Sequence, residues 1–426
     1  MFAESGDDEQ IIERVAALDI GKAEIVCCIR LPAPEGKNRR VQEVSTHSTM
    51  VISLSELANR LVTLGVQRVV MEATSDYWRP VFYLFQAHGL DPWLVNAKDV
   101  KHLPGRPKTD VLDAVWLCKV AERQMLRPSF VPPADIRRLR DLTRYRIDLV
   151  GARTAEKNRV EKLLEDACIK LSVVASDIHG VSGRDMLNAI IAGERDPEVL
   201  AELARSRMRA KISQLREAFA GLTIGTFTDH HAFLLAKMLT RIDAVDADIA
   251  ELDTQIEAYL APFADTVERL SEIPGIGHDV AAVIIAEIGI DMSHFPTPGH
   301  LASWAKMAPG IKTSAGRNKG NGTTGHGNRY LARALGNSAI GAARTNTFLG
   351  ARYRRIARRR GKKKALVAVG RSQLVIIWHI LDNPKTRFKD LGPGHYDQQR
   401  STAANRRSHI HALEALGYKV TLQQAA

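Results

Sequence analysis

Asp110 and Asp113, three residues apart in the run Lys108-Thr-Asp-Val-Leu-Asp-Ala114, are the residues whose type and spacing promise most chemistry. If that run opens a helix, both carboxylates share one face. Two acids so close repel each other unless a cation lies between them, and upstream the chain supplies two more at the ends of apolar runs, Asp19 and Glu72. All four would be hard oxygen ligands with no Cys or His cluster beside them. That donor set favours Mg²⁺ or Mn²⁺ over zinc, and a pair of such ions is the usual device for phosphodiester chemistry. Each acid taken singly reads more readily as a helix cap or a solvated side chain. Their order along the chain, strand end, strand end and helix pair, is what makes the set a candidate metal site.

The acids meet only if the elements beneath them bring two strand ends and a helix start together. Val15 to Gly21 reads as a strand ending in an acid, Glu24 to Arg30 as its returning partner and Arg40 to Ser48 as a third strand. Leu54, Leu57, Leu61 and Leu64 give Ser53 to Gly65 a helical period, and Arg68 to Ala73 is a buried strand that again ends in an acid. Tyr77 to His88 is a helix closed by Gly89, and Pro92 to Asn96 a fifth strand. A loop with Lys98, Lys101, Arg106 and Lys108 then leads into the helix of Asp110 and Asp113. Three antiparallel strands followed by strand-helix units is the order of an α/β ribonuclease-H-like sheet. There the first and fourth strands are parallel neighbours, which sets Asp19 beside Glu72.

Composition narrows the partner. The 426 residues are 45% hydrophobic and 25% charged, as in an ordinary globular protein of about three domains, but the formal net charge is +12. Such a surplus attracts polyanions and fits nucleic acid better than a small acidic substrate. No apolar run approaches the roughly 18 to 20 residues that span a bilayer, and the acidic N-terminus has no export signal, so a cytosolic protein without a membrane partner is expected. Cys27, Cys28, Cys118 and Cys168 show no Cys-x-x-Cys spacing and read as buried reduced thiols.

From Pro132 to about Pro262 helical patterns dominate. One helix is expected from Asp135 past Glu165, with shorter helices between Ser176 and Thr228. Leu235, Met238, Ile242, Val245, Ile249, Leu252, Ile256 and Tyr259 then alternate three and four apart, a heptad seam. The seam packs either on its own chain or on a second protomer in a coiled coil. Beyond it, Ser271-Glu-Ile-Pro-Gly275-Ile-Gly277 is similar to a helix-hairpin-helix turn, whose exposed N–H groups grip DNA phosphates without reading bases. Ala308 to Arg329 is a Gly-rich stretch carrying Arg317, Lys319 and Arg329, expected to order only on a phosphate backbone. The densest charge, Arg352 to Lys364, includes Arg354, Arg355, Arg358 and Arg359. It lies between two apolar helices and reads as a phosphate-binding face. Residues 392–408 read as a linker, and Ile410 to Leu422 as a helix and strand that dock back.

Asp19, Glu72, Asp110 and Asp113, the helical insert, Ile273-Pro-Gly-Ile-Gly277 and the segment from Ala308-Pro-Gly to Asn-Arg329-Tyr-Leu together resemble the DEDD-type insertion-sequence transposases, relatives of the Piv DNA invertase. The resemblance spans essentially the whole chain. It implies a RuvC-like DEDD catalytic domain at 14–131, a coiled-coil region at 132–262, a mostly α transposase domain at 268–390 and a tail at 391–426. It also implies that a serine attacks double-stranded DNA, that a bridge RNA guides the reaction and that the protein is a dimer or tetramer at the bacterial nucleoid. By position in the family pattern that serine is Ser314, which otherwise reads as an ordinary loop residue. Two rival functions are a RuvC-like nuclease or junction resolvase that uses water, and a non-catalytic DNA-binding protein.

Overall fold

The structure, a computed structural model, describes residues 11–33, 40–72, 75–96, 110–309, 313–314, 317–318, 324–396 and 406–422, without the side chains of 110, 111, 313, 314, 317 and 318. The chain divides into two compact units, Met1–Val131 and Pro132–Ala426.

In the first unit, short apolar runs form β1 (Val15–Ile20) and β2 (Glu24–Pro32), and a more polar, largely exposed run forms β3 (Arg40–Ser48). The later strands are β4 (Arg68–Glu72) and β5 (Pro92–Val95). The sheet order is β3-β2-β1-β4-β5, with β1 antiparallel to β2 and parallel to β4, as the sequence predicts. Each strand sends alternate residues to opposite faces. Leu18, Val69 and Met71 meet helices α1 (Val51–Thr63) and α2 (Trp78–Ala87) through Leu54, Leu57, Leu61 and Phe85. Val15, Ala17, Cys28 and Val70 face the other way, against Ala114, Leu117, Cys118 and Ala121 of α3 (Asp110–Glu122).

The second unit is built on α4 (Ala134–Asp166) and α5 (Asp229–Leu260), helices of 33 and 32 residues. Arg146 pairs with Asp253 and Arg153 with Asp246, so numbers fall along α5 as they rise along α4, and the two helices are antiparallel. One half of the predicted heptad seam, Leu235, Ile242, Ile249 and Ile256, is buried within the chain. The other half, Met238, Val245, Leu252 and Tyr259, is half-buried. Short helices such as Val181–Ile191, Pro197–Glu202 and Ile212–Ala218 enclose a core of Met186, Leu200, Leu215 and Phe219 with one end of this pair.

After α5 come α6 (Ala264–Ser271), α7 (His278–Ile288) and α8 (Pro298–Trp304). A small hairpin of β6 (Thr313–Ser314) and β7 (Arg317–Asn318) follows, inside the stretch expected to be irregular. The unit continues with α9 (Arg329–Ala343), α10 (Phe348–Arg360), α11 (Lys362–Asp382) and α12 (Arg406–Ala415). The helical insert and the region after residue 268 lie within the same compact unit. Contrary to the sequence reading, α11 is by length and composition apolar enough to cross a bilayer. In this fold its Val369, Leu374, Ile377 and Ile380 are core residues, and Trp378 Nε1 donates to Phe295 O at 2.7 Å. The expected docking of the C-terminal segment is not observed: α12 buries no residue, and 416–422 contain no strand.

Candidate active site and basic faces

Strand parity decides where the first two acids point. Asp19 follows Ala17 by two residues on β1 and Glu72 follows Val70 by two on β4, so both lie on the face that carries α3. The last pair of the parallel β1–β4 ladder, Leu18 with Met71, brings the two acids to adjacent positions at one sheet edge. The far end of α3 is tied to the start of β1. Glu122 is buried, its carboxylate pairs with Arg30 at 2.8 Å and with Arg40, and its carbonyl accepts from Ile12 N at 2.9 Å.

From Glu122 back to Asp113 the helix rises about 13 Å, close to the roughly 13 Å from Val15 to Asp19 along a strand. Measured from that tie, Asp113 on α3 and Asp19 on β1 are thus about equally far along their elements. Asp113 precedes the buried Ala114 and lies one turn before Leu117, on the sheet-facing side of α3. Asp110 is the first residue of α3, one turn earlier, and its side chain lies outside the described residues, as does the basic loop of Lys98, Lys101, Arg106 and Lys108.

All the ligand candidates are oxygen donors, which fits a hard divalent cation and not zinc. Among the described residues, no three His, Cys, Asp or Glu side chains are close enough to form a ready-made metal site. Asp19 and Glu72 share a sheet edge without belonging to such a group. The nearby thiols are no alternative ligands: Cys27, Cys28 and Cys118 are core residues, and burial pushes the Cys27 thiol up to about 12, whereas Cys168, expected to be buried too, is exposed just past the end of α4.

In the second unit Ser314 pairs with Arg317 across the β6–β7 hairpin. Their side chains and Lys319 lie outside the described residues. Upstream, the Ile273–Gly277 turn joins α6 to α7. Gly275 has φ +88° there, and a Cβ on it would fall 2.1 Å from Ser338 O and 2.7 Å from Ala342 N of α9. Only glycine fits, for backbone conformation and for close approach alike. Gln373 of α11 fastens the turn further, its Nε2 donating to Pro274 O at 3.0 Å and to Ser338 Oγ at 2.7 Å. Gly277 is the N-cap of α7, without a side-chain cap. Beside this helix start lies a crevice of about 240 Å³ where Arg146, His278 and Arg333 mix with Asp253, Glu257 and Asp279, so a phosphate arriving there meets both signs of charge.

Two features were hidden from the sequence. The first is Glu287 on α7, 0% exposed. Arg144 of α4 grips both of its carboxylate oxygens, at 2.7 and 2.8 Å, Arg140 donates to the carbonyls of Ala286 and Glu287, and Asn328 Nδ2 donates to it as well. Burial works against the Arg144 charge, but the Glu287 bonds outweigh it and hold the guanidinium above its ordinary range. Asn328 also caps α9 by accepting from Tyr330 N and Leu331 N, and the exposed Arg329 donates to the Tyr330 hydroxyl and lies within 3.6 Å of Asp148. A lone acid in the apolar run Ala281 to Ile288 was the available signal.

The second is Tyr396. It belongs to the stretch expected to be a linker, yet residues 390–396 pack on α10. Asp390 accepts from Phe348 N at 3.0 Å, Arg352 donates to the Tyr396 hydroxyl at 2.7 Å, and Arg355 lies 3.8 Å over the Tyr396 ring. Arg354, Arg355, Arg358, Arg359, Pro393 and Tyr396 line a groove of about 410 Å³. Among the described residues, none of those four arginines pairs with a carboxylate. Arg354 instead donates to Thr345 O at 3.1 Å.

Acids at parallel strand ends in an α/β unit, with a helical unit that bears an uncompensated arginine face, define an enzyme that acts on phosphodiester strands. Residues 16–169, which include all four acids, match a DEDD-type family model described as a transposase. Residues 267–354 match one described as transposase, IS116/IS110/IS902 family. The chain belongs to the IS110-type transposases and is an enzyme of insertion-sequence transposition. It is 27% identical over 68% of its length to a Streptomyces coelicolor protein named insertion element IS110 uncharacterized 43.6 kDa protein, covering 74% of that protein. It is 24% identical to a probable family 20 transposase of Pseudomonas aeruginosa (68% of this chain, 76% of that one). To the transposase for insertion sequence element IS1111A of Coxiella burnetii it is 23% identical (79% and 84%).

Proposed function

We propose that this transposase cuts and rejoins double-stranded DNA through a covalent link to Ser314, with Asp19, Glu72, Asp110 and Asp113 as the ligands of two Mg²⁺ or Mn²⁺ ions. The observation that supports the metal reading is the shared face: strand parity turns Asp19 and Glu72 toward α3, the helix that carries Asp113. The first unit is then a ribonuclease-H-like, RuvC-like catalytic domain. When bound, the ions supply charge neutralisation at the scissile phosphate. The four carboxylates hold and orient them.

Ser314 provides the nucleophile. Its Oγ forms a bond to phosphorus as the P–O bond to the leaving deoxyribose oxygen breaks, and the serine proton passes to a base while the leaving oxygen gains one. The serine-DNA ester conserves the phosphodiester energy, so rejoining reverses the step without a nucleotide cofactor. Arg317, Lys319 and Arg329, the α7 start at Gly275 and Gly277, and Arg354, Arg355, Arg358 and Arg359 contact the phosphate backbone. Following the family, a bridge RNA selects the target, and the half-buried seam row Met238, Val245, Leu252 and Tyr259 joins protomers into a coiled-coil dimer or tetramer in the cytoplasm, at the nucleoid.

The test is adduct formation. Ser314→Ala is expected to retain nucleic-acid affinity and assembly and to form no protein-DNA adduct, while Ser303→Ala and Thr313→Ala retain it. Asp19→Ala or Asp113→Ala is expected to abolish strand cleavage and spare binding. Cleavage without any adduct points instead to a water-using nuclease or junction resolvase, and loss of neither activity in the acid variants overturns the metal assignment.

A further inference from the structure

The arginine groove on α10 continues past residue 354, where the second family model ends, and its opposite wall comes from a segment the sequence presents as a linker. Three observations define what it takes. The arginines form two rows, Arg354 with Arg358 and Arg355 with Arg359, each pair four residues apart and about 6 Å along the helix axis. That spacing suits successive phosphates of one strand. No carboxylate of the described residues neutralises these four, in contrast to the arginines of α4. Lastly, Tyr396, the aromatic that lines the groove among the described residues, is already engaged: Phe348 stacks on it with ring centroids 5.0 Å apart and planes at 22°, and Arg355 lies over its ring at 3.8 Å.

That last point separates two modes of nucleic-acid binding. Single strands are held by basic grooves whose aromatic rings stack on unpaired bases. A ring already stacked on Phe348 and held under the Arg355 guanidinium is a poor platform of that kind. Its work here is internal, since its hydroxyl accepts from Arg352 Nη1 at 2.7 Å and its face holds the Arg355 guanidinium. Asp390, six residues earlier, accepts from Phe348 N at 3.0 Å and fixes the same segment to the start of α10.

Resting on the nucleic-acid reading above, we infer that the groove between α10 and residues 390–396 is a clamp for the phosphodiester backbone of a duplex, reading no bases, with Tyr396 as its positioning residue. Duplex DNA and an RNA helix present the same backbone chemistry, so the test carries both. The full chain is titrated, over a series of salt concentrations, with a mixed-sequence DNA duplex, an RNA duplex of equal length and the separated strands. Each duplex phosphate contact contributes about 0.9 to the slope of log affinity against log salt. Arg358→Gln with Arg359→Gln is expected to lower the slope for duplex DNA by about 1.8. Arg159→Gln with Arg241→Gln, which removes the same charge from arginines that lie at Glu156, is expected to leave it unchanged.

Tyr396 separates positioning from charge. Tyr396→Ala is expected to weaken duplex binding roughly threefold to tenfold, the loss of one cation–π contact and one hydrogen bond. Tyr396→Phe keeps the ring over Arg355 and is expected to recover most of that loss. An unchanged slope in the Arg358/Arg359 variant, wild-type affinity in Tyr396→Ala, or an arginine-dependent preference for single strands each overturns the clamp while leaving the nucleic-acid reading intact. A wild-type chain that binds none of the three probes overturns both.

Discussion

Helices α4 and α10 belong to the same compact unit and are both rich in arginine, but they use it in opposite ways. On α4, Arg144 is held by Glu287, Arg146 by Asp253 and Asp279, and Arg153 by Asp246, all of them carboxylates of α5 or α7. On α10, Arg354, Arg355, Arg358 and Arg359 face a groove whose other wall is Pro393 and Tyr396, with no acid among the described residues of its lining. The difference lies in the partner element and not in the arginines. Where the facing helix carries acids at matching spacing, arginine becomes internal cement; where the facing segment supplies a proline and a covered tyrosine, the charge stays available. The net charge of +12 is therefore unevenly felt, and α10 is where much of the surplus gathers.

The sharpest way to break this contrast is to remove an acid from the α4 side. Glu287→Ala leaves Arg140 and Arg144 facing an emptied pocket, and unpairing a buried charge costs about 3–5 kcal/mol. The expected result is a large drop in the denaturant midpoint, or failure to fold. Arg358→Gln with Arg359→Gln is expected to move the same midpoint by no more than about 0.5 kcal/mol, because exposed substitutions away from structural features do little. Equal destabilisation by the two variants would erase the distinction.

Next in size is the seam on α5, which contrasts two rows of one helix. Ile242→Asp with Ile249→Asp puts charges into the buried row, at several kcal/mol, and is expected to unfold the α4–α5 pair. Val245→Asp with Leu252→Asp falls on the half-buried row and is expected to leave the fold in place while shifting the oligomer toward monomer by light scattering. Unchanged mass in that second variant removes the row from the assembly.

These contrasts show which parts of the molecule were legible in the sequence. The β1–β4 adjacency and the acids at the strand ends were, because strand alternation and a following helix are local patterns of four or more residues. So was the α5 seam, but not its partner: a heptad records that one face is apolar and nothing about which helix covers it. The β6–β7 hairpin was not, since two-residue strands are too short to show a period. Glu287 and Tyr396 were illegible for a different reason. Their partners lie far away along the chain, Arg144 143 residues from Glu287 and Arg352 44 residues from Tyr396, and no local composition signals such a meeting. Gly392, Pro393 and Gly394 even argued for a free linker, when they instead turn the chain back onto α10.

The ion pairs across the α4–α5 interface come third. Arg153 and Asp246 keep side-chain exposures of 30% and 45%, so their pair is worth about 0.2–1 kcal/mol, with most of the cohesion left to the buried isoleucines and leucines. Arg153→Ala is expected to lower stability within that range and to leave the salt slope of duplex binding unchanged. A loss nearer that of Glu287→Ala would mean that the pair is buried more deeply in solution than its exposure implies.

The smallest effect uses salt itself as the probe on both helices at once. Added salt screens partly exposed pairs only weakly when the charges touch, because the screening length at physiological ionic strength is about 8 Å and a contact pair lies well inside it. Raising salt is therefore expected to change the unfolding free energy of the free protein by a few tenths of a kcal/mol at most, since each α4 pair is individually small. The same increase is expected to weaken duplex binding steeply, because every phosphate held by an α10 arginine had to release a counterion that high salt returns. Denaturation midpoints and binding constants measured across one salt series give both curves. If stability fell as steeply as affinity, α4 and α10 would be electrostatically alike, and the division between arginines that hold the fold and arginines that await a strand would fail.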